Sequence, residues 1–277
     1  MLSSPQNPIK FLLSLSLVLT IALLISCGSS GSDLSNASMI TSFSIGGTAG
    51  TINQSNRSIT LDLMEPDLSA LTPEIGISTN ATVSPASGVA QDFTSPVTYT
   101  VTAEDGSTTA YTVTVTSSII GLSINGNDYE LVTEARTWAG AASFAVSRGG
   151  ALARIDNEAE QNAIFNALNG VNIDMSSTIA PDGGGASYLW IGGNDLATEG
   201  NWIWDGNNDQ TGDQFWMGKQ DGSPVGGLYN NWGNEPDDFG SGQDALGFAL
   251  TNWPLGSAGQ WNDVSDDNEL FFLIELD

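Results

Sequence analysis

The sequence predicts a multidomain protein in which an all-β sandwich is followed by an α+β domain with two helices, antiparallel strands and long loops. In residues 39–118, apolar and polar residues alternate with period two, which is typical of strands buried on one face. The composition then changes, because all eight tryptophans lie beyond this segment and helical periodicity appears there for the first time. A chain of 277 residues is long enough for both domains.

The segment ahead of both domains indicates export. Lys10 is followed by an unbroken apolar run, residues 11–25, and then by small residues up to Cys27. A transmembrane anchor is the alternative interpretation, but a helix needs roughly 20 apolar residues to span a bilayer. The ending LLISCGSS resembles the lipobox of bacterial lipoproteins, which implies removal of a signal peptide, residues 1–26, and acylation of Cys27. We therefore predict a lipid-anchored, flexible tether of residues 27–38 and a location in the bacterial cell envelope, at the outer membrane or cell surface.

The sandwich is predicted to occupy residues 39–118 with about six or seven short strands. Threonine, valine, isoleucine and tyrosine dominate the alternating runs, and glycine, asparagine, proline and serine separate them. The clearest hairpin is predicted for residues 97–116, with its turn at residues 104–107, the sequence EDGS. The pattern, and above all YTVTAEDGSTTAYTVTV, resembles the immunoglobulin- or cadherin-like modules of bacterial surface lipoproteins. Because its acidic residues are scattered, we predict a spacer without chemistry of its own.

The first helix of the second domain, residues 119–277, is predicted to end near residue 147. Thr133 has the residue type of an N-cap, and Gly149 and Gly150 follow the last helical position. The helical period places four apolar residues on one side: Trp138, Ala141, Ala142 and Ala145.

The second helix is predicted to begin near Asn157, which has capping-box spacing to Glu160, and to stop at Gly170. Ile164 and Leu168 would face inward. The run ALARI between the helices and the later runs YLWIGG, NWIWDG, ALGFAL and LFFLIEL predict strands separated by Asn/Asp/Gly loops. The last run is so apolar that we predict it lies centrally in the sheet.

The charge of the chain restricts its partners and its chemistry. Six lysines and arginines against 32 acids give a net charge of −26, which argues against nucleic acid and anionic lipid and favours divalent cations. The absence of histidine excludes serine–histidine and cysteine–histidine catalysis and the usual zinc sites. With one cysteine in the sequence, no intramolecular disulfide can form. Ca²⁺ is the cation that this composition favours most, ahead of Mg²⁺ and Mn²⁺.

Oxygen-bearing side chains are concentrated in four loops of the second domain. Calcium takes about six to eight oxygen ligands from carboxylates, amides and carbonyls, and glycine-rich loops let such groups converge. Any one acidic, glycine-rich turn is usually only solvated, so the prediction rests on all four together. The loops are GGNDLATEG, with Asp195 and Glu199; NEPDD, with Glu235, Asp237 and Asp238; GSGQD, with Gln243 and Asp244; and QWND, with Asn262 and Asp263.

In their order and spacing, these motifs resemble the carbohydrate-recognition domain of the C-type lectin superfamily over residues 122–277. WIGGND is similar to the core strand of that family, EPD falls at its Glu-Pro-Asn motif, and WND is present unchanged. The resemblance implies an α+β fold in which two neighbouring sugar hydroxyls join the ligand shell of a calcium ion. It also implies a cis peptide bond ahead of Pro236.

The resemblance also implies which residues bind calcium. The principal ion, which also binds the sugar, would be coordinated by the side chains of Glu235, Asp237, Gln243, Asn262 and Asp263. The same five residues would form the carbohydrate site. An auxiliary ion would be bound by Asp195, Glu199, Asp238 and Asp244. The sequence departs from the family at two places, because Asp237 stands at the position of an asparagine and Gln243 at that of a glutamate. The number of carboxylates is unchanged, but the pairing of donors and acceptors around each sugar hydroxyl is altered.

Three classes of function are open to such a chain. The predicted function is calcium-dependent carbohydrate binding by a cell-envelope lipoprotein, in adhesion or glycan recognition, with glycans or glycoproteins as partners. The alternative is a calcium-stabilised, protein-binding adhesin of the same fold without sugar binding. An enzyme such as a glycosidase is not predicted, because the sequence offers no nucleophile–base pair and its acids have the arrangement of metal ligands. Variants of Asn262 and Asp263 distinguish the first two classes, since only the lectin must lose its ligand.

Overall fold

The structure, a computed structural model, describes residues 33–240 and 242–277. The predicted signal peptide, the predicted acylation site Cys27 and residues 27–32 of the predicted tether lie outside the described residues. The end of the predicted tether, residues 33–38, contains no helix or strand. No helix in the described ranges is both long and apolar enough to cross a membrane.

The N-terminal domain is a sandwich of two sheets built from eight strands. The strands are β1 (Ile40–Ile45), β2 (Thr48–Ala49), β3 (Thr51–Asn53), β4 (Ser58–Leu63), β5 (Pro73–Ile77), β6 (Thr82–Ser84), β7 (Val97–Thr102) and β8 (Thr108–Ser117). One sheet has the order β2-β1-β5, and the other has the order β3-β4-β8-β7-β6, in which β4 and β8 run parallel. The all-β architecture predicted for this part of the chain is confirmed.

Alternate residues of both sheets of the sandwich fill one hydrophobic core. Phe43 of β1 packs edge-to-face against Tyr99 of β7, with ring centroids 5.6 Å apart. Tyr111 lies directly opposite Tyr99 in the β7–β8 ladder and is also fully buried. The two strands are joined by the predicted turn, in which Gly106 has a φ of +87°, a conformation that glycine adopts without steric cost.

The second domain is an α+β domain around one large sheet. Its strands are β9 (Ile119–Ile124), β10 (Asn127–Arg136), β11 (Gly150–Leu152), β12 (Tyr188–Asn194), β13 (Asn201–Trp204), β14 (Gln214–Met217), β15 (Ser223–Pro224), β16 (Ala245–Ala249), β17 (Trp261–Val264) and β18 (Leu270–Leu276). Its helices are α1 (Trp138–Ser147) and α2 (Glu158–Asn169), and Met175–Ser177 form a short 3₁₀ turn.

The strands of this sheet follow the order β15-β14-β13-β12-β18-β10-β9. Two branches leave that path, since β11 pairs with β18, and β16 pairs with β12 and β17. As its apolar sequence predicts, β18 lies inside the sheet, between β12 and β10. The β12–β16–β17 branch matters for function, because it positions the loops described below.

The N-cap of helix α1 lies four residues later than predicted. Thr133 lies in β10, and its N–H donates to the carbonyl of Ser118 at 2.8 Å. The cap is Thr137, whose hydroxyl accepts from the N–H of Gly140 at 3.2 Å. The prediction was wrong because pairing with β18, at Arg136 opposite Leu270, extends β10 past Thr133. The predicted buried face is confirmed and consists of Trp138, Ala141, Ala142 and Ala145.

Helix α2 has the predicted ends. The side chain of Asn157 accepts from the N–H of Glu160 at 3.0 Å, and the Glu160 carboxylate accepts from the N–H of Asp156 at 2.7 Å. The helix stops at Gly170, and its buried positions include Ile164 and Leu168, as predicted.

Aromatic rings form much of the core of the second domain. Trp204 stacks on Phe215 at a centroid distance of 4.7 Å and meets Trp261 edge-to-face at 5.5 Å. Trp202 and Trp232 meet edge-to-face at 4.9 Å. Such pairs add to the burial energy of the rings. Because no disulfide can form within the chain, this packing must stabilise the loop-rich half of the domain.

Arg148→Met is expected to destabilise the second domain by about 3 kcal/mol. The Arg148 guanidinium follows α1 and donates to both carboxylate oxygens of Glu130, at 2.6 and 2.9 Å, and Glu130 is buried. Loss of the arginine leaves that carboxylate buried without a counter-charge. Chemical denaturation measures the loss, and the additional change Glu130→Gln should recover most of it. An unaltered unfolding midpoint in Arg148→Met would contradict the prediction.

Candidate metal centre

The loops around β13, β16 and β17 bring the predicted ligands into two groups. We call Glu235, Asp237, Gln243, Asn262 and Asp263 the first cluster. We call Asp195, Glu199, Asp238 and Asp244 the second cluster. Carboxylate oxygens of three first-cluster acids lie within 4.8 Å of one another, those of Glu235, Asp237 and Asp263. The same holds in the second cluster for Glu199, Asp238 and Asp244.

Asn262 lies on β17 and is oriented by two hydrogen bonds in series. Its Nδ2 donates to the hydroxyl of Tyr188 at 2.9 Å, and that hydroxyl donates to the carbonyl of Gly183 at 2.7 Å. This orientation leaves Oδ1 of Asn262 buried without a hydrogen-bond partner, in a residue only 2% exposed. Because buried polar atoms are nearly always partnered, this oxygen is a candidate ligand atom for a cation.

Glu235 presents a second buried oxygen without a partner. Its Oε1 accepts from the indole N–H of Trp253 at 3.1 Å, and its Oε2 has no partner in a residue 4% exposed. Burial raises the pKa of Glu235 to about 7, and the charge of Asp237 adds to the shift. The Glu235–Pro236 peptide bond is cis, as the resemblance implies.

Asp263 is completely buried and is held by the loop that carries the other ligands. Its two oxygens accept from the backbone N–H groups of Asp237, at 3.2 Å, and Asp238, at 2.7 Å. Burial raises the pKa of Asp263 to about 7 in spite of these bonds, and the neighbouring charge of Glu235 raises it further. A cation nearby would therefore favour the ionised form of Asp263.

Gln243 is fixed by a residue that sequence reasoning did not identify. Its Nε2 donates to the carbonyl and to the carboxylate of Asp182, at 3.2 and 3.3 Å, and its Oε1 accepts from the N–H of Phe239 at 2.6 Å. Asp182 also accepts from the N–H of Ser265 at 2.7 Å and from Nδ2 of Asn268 at 2.6 Å. The amide nitrogens of Gln243 and Asn262 are thus both engaged within the protein.

Three residues of the site were missed from the sequence: Asp182, Tyr188 and Trp253. Asp182 precedes three consecutive glycines, and an acid in so flexible a loop is the one signal that could have indicated it. Tyr188 and Trp253 lie in apolar runs, where packing is the ordinary interpretation of an aromatic residue. Their hydrogen bonds to Asn262 and Glu235 become visible only in the folded chain.

Asp195 is the buried member of the second cluster, at 3% exposure. Its Oδ2 accepts from the N–H of Gly200 at 2.7 Å, and its Oδ1 is buried without a partner. Burial raises the pKa of Asp195 to about 8, and the charges of Glu199 and Asp244 contribute. Its backbone N–H donates to the carbonyl of Asp244 at 3.1 Å, which connects the two loops of this cluster.

Asp238 belongs to the second cluster and contacts a basic residue. The ammonium of Lys219 lies 3.0 Å from Oδ2 of Asp238, and Oδ1 of Asp238 accepts from the N–H of Gly242 at 2.7 Å. These contacts lower the pKa of Asp238 against the opposing effect of desolvation, which is the largest single influence. The basic partner was not expected from the sequence.

The donor set of the first cluster fits calcium. It consists only of carboxylate and amide oxygens, the hard ligands that calcium prefers. Glu235 Oε2 and Asn262 Oδ1 are buried and without partners, and the carboxylate of Glu235 converges with those of Asp237 and Asp263. Burial disfavours ionisation of the acids, which a divalent cation would reverse. The second cluster also offers oxygens alone, but one of its acids already has a basic partner.

A cavity of about 240 Å³ opens beside the first cluster. Its polar side consists of Asp182, Glu235, Asp237, Gln243 and Asn262. Its apolar side includes Pro181, Trp253, Pro254 and Leu255. Gly184 belongs to the wall, and a Cβ there would come within 2.8 Å of Pro254, so the loop can approach this closely only as glycine. Phe239, 70% exposed, stands at the rim.

Comparison with known families matches both domains. Residues 134–273, about half of the chain, match the family described as lectin C-type domain, and residues 40–115 match the family described as SGBP, N-terminal. Halomucin of Haloquadratum walsbyi is 29% identical over 155 residues, which are 54% of this chain and 1% of halomucin. Echinoidin of Heliocidaris crassispina is 28% identical over 163 residues, which are 55% of this chain and 90% of echinoidin.

Solved structures give weaker similarity. The carbohydrate-recognition domain of the mouse scavenger receptor C-type lectin is 25% identical, with a TM-score of 0.38, and the match covers 56% of this chain and 93% of that domain. A Bacteroides thetaiotaomicron protein with a provisional glycoside hydrolase description is 34% identical, with a TM-score of 0.28, and the match covers 37% of this chain and 33% of that one. Because both TM-scores are low, the relationship rests on the family match of residues 134–273.

Proposed function

Since this chain belongs to the C-type lectin domain family, we propose that it is a calcium-dependent carbohydrate-binding lipoprotein of the bacterial cell envelope. Its ligands would be glycans or glycoproteins, recognised at the first cluster. The observation that carries the proposal is the pair of buried oxygens without partners, Glu235 Oε2 and Asn262 Oδ1, beside converging carboxylates and an open cavity.

The residues of the first cluster would bind calcium and orient the sugar. A bound calcium ion would supply positive charge and open coordination positions for two neighbouring hydroxyls. Tyr188 and Trp253 hold the amide of Asn262 and the carboxylate of Glu235 in place before any ligand arrives. Such preorganisation reduces the cost of ordering the site on binding.

The hydrogen bonds of the site favour sugar hydroxyls that donate. Glu235 and Asp237 can only accept when ionised. The amide nitrogens of Gln243 and Asn262, the donors that the sequence provides, are already directed to Asp182 and Tyr188. Acceptors therefore predominate toward the cavity, which differs from the alternating donors and acceptors of the usual family site.

The cavity wall restricts which sugars fit. A sugar whose hydroxyls face the first cluster would place its ring or a substituent against Trp253, Pro254 and Leu255. Burial of apolar groups there favours neutral sugars with an acetamido or methyl substituent over unsubstituted hexoses. The strongly acidic chain disfavours anionic sugars.

The anchoring part of the proposal rests on the sequence around Cys27. Acylation there would attach the protein to the membrane, with residues 28–38 as a tether and the sandwich as a spacer, so that the second domain faces outward in adhesion or glycan recognition. The match of residues 40–115 to the SGBP, N-terminal family supports a role in glycan binding for the whole chain.

A protein-binding adhesin of the same fold is the second candidate. Phe239 favours it, because a phenyl ring with 70% exposure at the rim of a polar site fits an apolar side chain of a partner as well as a sugar ring. In this candidate, calcium would be a structural element only. The departures at Asp237 and Gln243 favour it as well.

A glycan array is expected to show binding in calcium and none in excess chelator. The probe is the full-length chain in detergent, and neutral N-acetylated or deoxy sugars should give stronger signals than unsubstituted hexoses. Denatured protein and a chelated sample to which calcium is restored are the controls. Binding that persists in chelator would contradict the calcium dependence of recognition, and silence in both conditions would favour the protein-binding adhesin.

A further inference from the structure

Among the basic residues that the structure describes, Lys219 is the one that forms an ion pair with a member of a cluster. Four of these residues form ion pairs, and the partners of the other three lie outside both clusters. The backbone of Lys219 is fixed in a turn, because its carbonyl accepts from the N–H of Gly222 at 2.7 Å and from the indole N–H of Trp216 at 3.3 Å. The side chain of Lys219 therefore contacts Asp238 from an ordered backbone position.

The two clusters differ in their counter-charges. The first cluster has three close carboxylates and no contact with a basic side chain among the described residues. In the second cluster, Lys219 supplies one positive charge against four acids. With Lys219 in place, Oδ1 of Asp195 remains buried and without a partner, so the cluster still offers an unused acceptor to a cation.

We infer that the Lys219 ammonium acts as the resident cation of the second cluster in the calcium-free protein and must leave Asp238 before a second calcium ion binds. The inference rests on the proposed function in that calcium is the ion of the first cluster. An ammonium 3.0 Å from a ligand oxygen blocks that oxygen and repels a divalent ion. The clusters therefore fill in order, the first at low calcium and the second only at higher calcium.

Asp238 connects the replacement of the Lys219 ammonium by calcium to the first cluster. Its side chain contacts Lys219, while its backbone N–H donates to Asp263 at 2.7 Å. Occupation of the first cluster would hold the backbone of Asp238 in place without using its carboxylate. The carboxylate remains with Lys219 until calcium concentration is high enough to displace the ammonium.

Lys219→Met is expected to change two measurements in opposite directions. Calcium binding by calorimetry at low ionic strength, on the full-length chain in detergent, should show the second ion bound at least about tenfold more tightly than in the parent. The melting temperature in excess chelator should fall, because Asp238 loses its counter-charge. A lysine with a merely structural role would not tighten calcium binding.

Matched variants complete the test. Lys219→Arg should behave like the parent, and Arg154→Met should leave the affinity for the second ion unchanged, because it removes the same charge from a pair with Asp156 and Asp213, outside both clusters. An unchanged second affinity in Lys219→Met would overturn the inference, as would an equal gain in Arg154→Met. If Asp263→Asn binds calcium as tightly as the parent does, the proposed function fails instead. Tighter binding of the second ion by Lys219→Met would still support the inference.

Discussion

Asn262→Ala is expected to abolish glycan binding and to weaken calcium binding at the first cluster by at least about 100-fold. The substitution removes one of the two buried oxygens without a partner, so calcium loses a ligand that the fold has already oriented. Loss of residues that only support metal ligands commonly costs about 10- to 100-fold in affinity, and a direct ligand should cost no less. Calorimetry with calcium and the glycan array measure the two losses.

Asn207→Ala is the matched control for this prediction. Asn207 is an exposed asparagine whose Nδ2 donates to Asp209, and it belongs to neither cluster. It should retain both calcium and glycan binding. If the Asn262→Ala variant no longer binds calcium but still binds its macromolecular partner, the calcium site acts as a structural element. That result favours the protein-binding adhesin. Retention of both would remove Asn262 from the metal site.

In the absence of calcium, the second domain is expected to lose stability as the pH rises from about 4 to about 8. Burial raises the pKa of Asp195 to about 8 and those of Glu235 and Asp263 to about 7, so the native state binds protons that the unfolded chain has released. The unfolding free energy falls with pH across this window, and one pKa unit corresponds to about 1.4 kcal/mol. Above pH 8 the full penalty of three buried charges is present.

Saturating calcium is expected to remove this dependence, because the ion favours the ionised carboxylates. The difference in melting temperature between calcium and chelator should therefore widen from pH 5 to pH 8, by roughly 10 °C or more. Thermal melts at several pH values measure it, and Asp195→Asn should flatten the slope in chelator. A chelator melt that does not vary with pH would contradict the burial of ionisable acids in these clusters.

A bound calcium ion would also stabilise a chain that has no intramolecular disulfide. The aromatic packing of Trp202, Trp204 and Trp261 stabilises the framework beneath the loops, but it does not neutralise the acids above them. An ion that binds only the native state adds stability by mass action. Binding of calcium and folding of the loops are then one equilibrium, so loss of the ion would cost stability as well as recognition.

Local sequence signals determined most of the fold. Period-two alternation predicted the sandwich and its hairpin, and the Asn157–Glu160 spacing predicted the start of α2, because these depend on residues close in sequence. Thr133 shows the limit of such reasoning. A threonine suits an N-cap, but strand pairing with β18 carried β10 past Thr133, and Thr137 became the cap.

The ligand types were also determined by sequence, because calcium requires oxygen donors and the motifs EPD, QD and WND supply them. Only the tertiary structure decided how these donors are held and neutralised. Asp182 contacts Gln243, Tyr188 contacts Asn262, and Lys219 contacts Asp238. Each contact joins residues far apart in the chain, and none follows from periodicity or composition. Burial, and with it the raised pKa values and the oxygens without partners, likewise exists only once the loops are packed on the core.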